Sequence, residues 1–138
     1  MDGLQALAQS ILLVVPGFVF VLMIAYAVSC WNRLPDRVAS HFDGAGNANG
    51  WMTKGALAAI FLTVEFGVGA AIYVIESLRL PEATTAIMAL YFVVVFLGYM
   101  FWLCLRVNLL QTRMSAPQAL AGAVCGLACA ALAAWSKL

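Results

Sequence analysis

Residues 11–31 read ILLVVPGFVFVLMIAYAVSCW, a run of 21 residues without a charged side chain. A helix that spans the hydrocarbon core of a bilayer needs about 20 mostly apolar residues. This run is therefore long enough for one membrane-spanning helix. It predicts that lipid, and not water, surrounds this part of the chain.

Three further runs have the same character, namely residues 55–75, 84–104 and 118–135, and of the thirteen charged residues only Glu65 lies inside a run. The chain is 65% hydrophobic and 9% charged, with a mean hydropathy of +1.00, whereas soluble domains have about 45–50% apolar and about 25% charged residues. We therefore predict an all-α integral membrane protein, a four-transmembrane-helix bundle that forms a single membrane domain over residues 1–138. A net charge of +1 gives no reason to expect a nucleic-acid partner.

Four spans place both termini on the same side of the membrane. The face with the loops 32–54 and 106–117 carries five basic residues, Arg33, Arg37, Lys54, Arg106 and Arg113. The opposite face carries two, Arg79 and Lys137. An excess of Lys and Arg favours a cytoplasmic loop. Without the three in the first loop, however, the count is two against two, so the sequence leaves the orientation open.

The loop between the first two runs, residues 32–54, is long for a small bundle, and long loops are usually functional or disordered. Its residues predict order. Pro35 favours an extended segment before it, and residues 37–42 alternate as in a short strand. Three turn pairs follow, Asp43-Gly44, Gly46-Asn47 and Asn49-Gly50, and they supply the positive φ that a tight reversal needs. His41 and Asp43, one residue apart on a common strand face, are expected to bond across the following turn. Thr53 can cap the second helix. We predict that this ordered loop is the functional surface.

The segment from Leu34 to Lys54 has the pattern LPDRVASHFDxxGxxxGWxxK. It resembles the signature loop of a bacterial membrane domain of unknown function that forms the N-terminal part of SdpI-type toxin-immunity proteins, and the resemblance covers about residues 10–75. It implies a multi-pass protein of the bacterial cytoplasmic (inner) membrane. The residues expected to bind a partner or to structure the loop are Pro35, His41, Phe42, Asp43, Gly46, Asn47, Gly50 and Trp51.

The same loop gives no sign of catalysis or of a cofactor. Ser40 and His41 are adjacent, so in a regular strand their side chains point to opposite faces, which excludes a nucleophile–base pair. In a calcium-loop frame, Asn47, Asn49 and Gly50 would take positions 3, 5 and 6, but alanine stands at positions 1 and 12. Zinc needs more than one histidine or cysteine. We therefore expect a non-enzymatic protein with no catalytic residue, no metal and no cofactor.

Glu65 is the costly residue of the spans, because an ionised carboxylate at mid-bilayer costs about 2.5–3.5 kcal/mol. We expect it to face the bundle, either protonated or paired. The candidate partners by depth are Thr63, Tyr91 and Tyr99, and the sequence does not rank them. It is either a proton or ligand site, or a neutral, hydrogen-bonded carboxyl that fixes the helix register.

The fourth run carries small residues at every fourth position, Gly122, Gly126, Ala130 and Ala134. Such a strip lets another backbone approach closely. Because a small bundle must use its small residues internally, we expect the strip to pack within the protein rather than on a partner.

Two functions fit these observations. The first is a membrane binding protein, related to toxin-peptide immunity factors, that recognises a peptide or another membrane protein through residues 32–54. The second is a small accessory subunit packed on a larger membrane complex. A homo-oligomer is compatible with either function.

Overall fold

The computed structural model describes residues 2–78 and 84–136. In this part of the chain four α-helices occur: α1 (Asp2–Cys30), α2 (Lys54–Leu78), α3 (Thr84–Leu110) and α4 (Ala116–Trp135). All four are long and apolar enough to cross a membrane. The predicted architecture of four membrane-spanning helices is confirmed, and the chain is a multi-pass membrane protein. Arg79 and Lys137, the two basic residues assigned to the second face, lie outside the described residues.

The loop between α1 and α2 is a β-hairpin. A short 3-10 helix (Trp31–Arg33) leads to strand β1 (Arg37–Phe42), which pairs antiparallel with strand β2 (Ala48–Thr53). The strand predicted at residues 37–42 is thus confirmed. The turn predicted at Asn49-Gly50 is wrong, because both residues lie inside β2.

Local sequence signals define where α2 and α4 begin. The N–H of Ala56 donates to the Thr53 hydroxyl at 3.1 Å, so Thr53 caps α2 as predicted. At the start of α4, Ser115 and Gln118 exchange side-chain and backbone hydrogen bonds in a capping box. Both caps satisfy backbone N–H groups that have no partner inside the helix.

Helix α3 lies at the centre of the bundle and contacts α1, α2 and α4. Its contact with α4 uses the strip of small residues. A β-carbon at Gly122 would press on the Tyr99 ring, and one at Gly126 would press on the Phe92 ring. Ala130 is buried and Ala134 is half-buried. The strip therefore faces α3, inside the protein.

Helix α1 contains Pro16, which cannot donate a backbone hydrogen bond to the preceding turn. The Tyr73 hydroxyl of α2 donates to the Leu13 carbonyl at 2.6 Å, so a neighbouring helix supplies a donor beside the proline. Near the start of α1, the Gln9 amide donates to the Ser136 carbonyl at 2.9 Å. The beginning of α1 and the end of α4 therefore lie at the same end of the bundle, opposite the hairpin.

Candidate functional site

The hairpin is held against the helix ends by its buried face. Val38 is 0% exposed and Ala39 is buried, whereas Arg37 and His41 of the same strand are exposed. Val38 belongs to a core cluster that also contains Leu34 of the approach to β1 and Leu57 of α2. The hairpin therefore covers one end of the bundle, and its buried side chains belong to the same hydrophobic core.

Asn108, near the end of α3, covers the outer edge of β1. Its side-chain oxygen accepts the N–H of Ala39 at 2.7 Å, and its side-chain nitrogen donates to the Ala39 carbonyl at 2.9 Å. The amide therefore satisfies both backbone groups of Ala39, as a neighbouring strand would do. Asn108 was not among the residues predicted from the sequence. Its signal is an amide flanked by apolar residues at the end of a span.

The hairpin tip is attached to the loop between α3 and α4. The N–H of Met114 donates to the Gly46 carbonyl at 3.1 Å. Gly46 is buried and has φ +78°, and a β-carbon on it would overlap the Met114 carbonyl. Glycine is required here both for the positive φ and for the close approach of the two backbones. The positive φ expected at the Gly46-Asn47 pair is present.

Asp43 organises the turn between the strands. One of its carboxylate oxygens accepts the N–H groups of Ala45 and Asn47 at 2.9 and 2.8 Å, and the Asn47 side-chain amide lies 3.2 Å from the other. The backbone N–H of Asn47, followed by its side-chain amide, lowers the pKa of Asp43. The expected bonding of Asp43 across the turn is therefore found.

His41 does not share this role, and the expectation that it bonds across the turn is wrong. Its Nδ1 lies 3.0 Å from the Ser40 hydroxyl, so the prediction that the Ser40 and His41 side chains point to opposite faces is also wrong. The reason is a register irregularity, because the pairing steps from Ala39 to His41 and leaves Ser40 without a partner in the ladder. The His41 ring also lies against Gly50, where a β-carbon would be 3.0 Å from Nδ1.

Lys54 connects the two ends of the hairpin. Its ammonium group donates to the Trp31 and Leu34 carbonyls at 3.3 Å each, forms an ion pair with Asp36 at 3.5 Å and lies 5.4 Å from the centre of the Trp31 ring. The residues before β1 are thereby joined to the start of α2. Pro35, next to this cluster, is exposed.

The outer edge of β2 is the open part of the sheet. The Lys54 N–H donates to the Asp36 carbonyl at 3.1 Å, so the backbone groups of this pair point inward, between the strands. Along an antiparallel ladder, pairs with inward groups alternate with pairs whose groups point outward. The backbone groups of Ala39 and its partner Trp51 therefore point away from the opposite strand. Asn108 occupies those of Ala39, and within the described residues β1 is the only strand beside β2. The Trp51 side chain is 54% exposed.

This face of the protein is predominantly basic. Four arginines on this face have exposed guanidinium groups. Arg33 and Arg37 belong to the hairpin and the segment before it, Arg106 lies near the end of α3, and Arg113 lies in the loop after α3. Asp36 and Asp43 are the acidic side chains, and both have partners. Phe42 is half-buried against the core cluster beneath the hairpin. In the described residues, no three His, Cys, Asp or Glu side chains come together as metal ligands would.

Glu65 lies apart from the hairpin, inside the bundle. It is 1% exposed, and within the described residues neither carboxylate oxygen has a hydrogen-bond partner. The predicted partners therefore do not bond to it. Thr63 is exposed, Tyr99 packs on α4, and the buried Tyr91 hydroxyl has no partner either. Since an ionised carboxylate is costly at this depth, we expect Glu65 to carry a proton.

Residues 18–64 match the family model of DUF1648, a domain of unknown function. The matched segment includes the second half of α1, the hairpin and the first part of α2. Glu65, Asn108 and Met114 lie outside it. No curated protein and no solved structure matches the chain.

Proposed function

We propose that this multi-pass membrane protein recognises an extended peptide at one membrane face, and that the peptide adds a third strand at the open edge of β2. Strand addition provides affinity through main-chain hydrogen bonds and specificity through the side chains beside the edge. The proposal rests on one observation, which is that the outer edges of β1 and β2 differ in whether their backbone groups have partners. Asn108 occupies the outward backbone groups of Ala39 in β1, whereas the outward groups of its partner Trp51 in β2 face no other strand among the described residues.

The surroundings of the edge support a peptide as the partner. The hairpin is anchored at its tip by Met114, at its outer edge by Asn108 and at its base by Lys54. A rigid sheet edge loses little conformational entropy when it binds. The exposed Trp51 ring offers an amphipathic surface, and the surrounding arginines favour a peptide with acidic side chains. The resemblance to immunity proteins that act against a secreted peptide points to the same class of partner.

The test is to replace the Trp51 backbone donor and its side chain separately. Trp51→Pro removes the outward N–H, and proline is tolerated at a strand edge where the N–H is not used. Trp51→Phe keeps the N–H and removes the indole. The full chain in nanodiscs is mixed with the peptide fraction of the medium in which the source cells grow, and amide hydrogen exchange is measured at β2.

We expect added peptide to slow exchange at Trp51 and Thr53 in the wild type and in Trp51→Phe. We expect no slowing at Thr53 in Trp51→Pro, although its helices remain folded by circular dichroism. Slowing that survives in the proline variant would contradict strand addition. Constant co-purification with larger membrane polypeptides, independent of Trp51, would instead support the accessory-subunit function.

A further inference from the structure

A groove runs between α1 and α3 within the membrane-spanning part of the bundle. It has a volume of about 330 Å³, and its walls include Leu22 and Tyr26 of α1 and Val95, Gly98 and Trp102 of α3. Ligand pockets have volumes of about 300–1,000 Å³. Leu22 is 51% exposed, so the groove opens at the surface of the bundle. In a membrane, that surface contacts lipid.

The contact between the two helices shapes this groove. Gly98 has no side chain, and a β-carbon there would overlap the Val19 side chain. The helices therefore approach closely at this point. Towards the hairpin, the rings of Tyr26 and Trp102 lie between the helices with their centres 6.3 Å apart. From Val19 to Tyr26 the groove follows α1 for about 10 Å.

The end of the groove near the hairpin is basic. The Arg106 guanidinium lies 5.0 Å from the centre of the Trp102 ring. Arg33 belongs to the short 3-10 helix Trp31–Arg33 that follows α1, so a second cation lies at this end of the bundle. Both arginines are exposed. Aromatic rings followed by arginines are the arrangement expected at the level of lipid headgroups.

We propose that the groove binds one acyl chain of an anionic phospholipid, and that Arg106 and Arg33 hold the phosphate of its headgroup. The apolar walls disfavour a polar ligand in the groove itself, because a polar group buried there without hydrogen-bond partners costs free energy. The two guanidinium groups favour an anionic headgroup over a zwitterionic one. This site is separate from the edge of β2 and does not depend on the proposed function.

The experiment is native mass spectrometry of the full chain in detergent with equal amounts of two added lipids. These are dioleoyl phosphatidylglycerol, which is anionic, and dioleoyl phosphatidylcholine, which has the same chains and a zwitterionic headgroup. Leu22→Trp fills the groove. Its matched control is Val21→Trp, the adjacent position, which is 61% exposed and does not line the groove. Arg106→Gln alters the headgroup site and is compared with Arg113→Gln on the same face.

We expect the wild type and Val21→Trp to retain one phosphatidylglycerol, and Leu22→Trp to lose it. Arg106→Gln should lower the preference for phosphatidylglycerol about fivefold, the factor expected for one basic residue near an anionic surface, while Arg113→Gln should retain it. Equal retention of the two lipids by the wild type would overturn the proposal. So would equal losses in the two tryptophan variants, or a dimer without lipid that Leu22→Trp dissociates.

Discussion

The hairpin tip and the interior of the bundle each contain an acidic side chain, Asp43 and Glu65, and the two differ in their hydrogen bonding. Asp43 is exposed and still accepts hydrogen bonds from Ala45 and Asn47. Glu65 is 1% exposed, and its oxygens have no partner within the described residues. A protein normally bonds its buried polar groups most completely. The contrast shows that Asp43 stabilises a turn, whereas Glu65 occupies a buried position where an apolar residue would cost less free energy.

The largest effect is expected at Glu65. Glu65→Lys places an amino group with a longer side chain in the same buried site, and a lysine at a helix centre costs about 2.5–3.5 kcal/mol on insertion. We expect little folded protein after mild detergent extraction, as measured by size-exclusion chromatography. The free energy of unfolding of Glu65→Gln should differ from that of the wild type by no more than about 1 kcal/mol, because one neutral polar group replaces another. A lysine variant as stable as the glutamine variant would show that water reaches this site.

A smaller effect is expected at the hairpin tip. Gly46→Val forces a β-branched residue into a positive φ and into the Met114 carbonyl, so the tip should detach from the α3–α4 loop at a cost of about 1–3 kcal/mol. Gly44→Val is the control, because nothing lies within 4 Å of a β-carbon there. Limited proteolysis should cleave residues 43–47 faster in the Gly46 variant alone. Equal cleavage of both variants would mean that the tip is not docked.

The smallest effect is the pH dependence of the Asp43 turn. The pKa of Asp43 is lowered in the fold, so the carboxylate stabilises the turn above the unfolded value of about 3.9. That contribution is lost as the pH falls through the folded value. The NMR shift of the Asn47 amide should therefore be constant from pH 8 to 5 and should change only below about pH 4. Asp43→Asn should abolish this change, and a transition near neutral pH would contradict the assignment.

Hydropathy alone predicted the four helices, because lipid imposes a simple requirement for length and apolarity. The alternation of residues 37–42 predicted β1, and turn chemistry predicted the bonding of Asp43 and the positive φ near Gly46. The regular alternation assumed for Ser40 and His41 failed, since one unpaired residue in a ladder changes which side chains meet. Asn49 and Gly50 form no turn, because Ala48 and Gly50 pair with Phe42 and His41 of β1 and the strand continues through Asn49. Turn propensity depends only on residues adjacent in sequence, so it contains no information about pairing between strands.

The tertiary contacts could not be predicted in the same way. Asn108 bonds to Ala39 across 69 positions of sequence, and Met114 bonds to Gly46 at a similar separation. A single sequence contains no signal that pairs such distant residues. The partners proposed for Glu65 failed for a related reason, because helix rotation determines what a side chain faces, and depth in the membrane does not.

The attachment of Gly46 to Met114 also has a consequence for biosynthesis. The hairpin is synthesised before the residues that hold it, because Asn108 and Met114 leave the ribosome more than sixty residues later. At about 5–20 residues per second, this delay is roughly 3–14 s. During that interval the hairpin has no support from α3 at the membrane surface, and its strand edges are open to pairing with other chains. The order of synthesis therefore delays the final structure of the hairpin until α3 and the residues up to Met114 have been made.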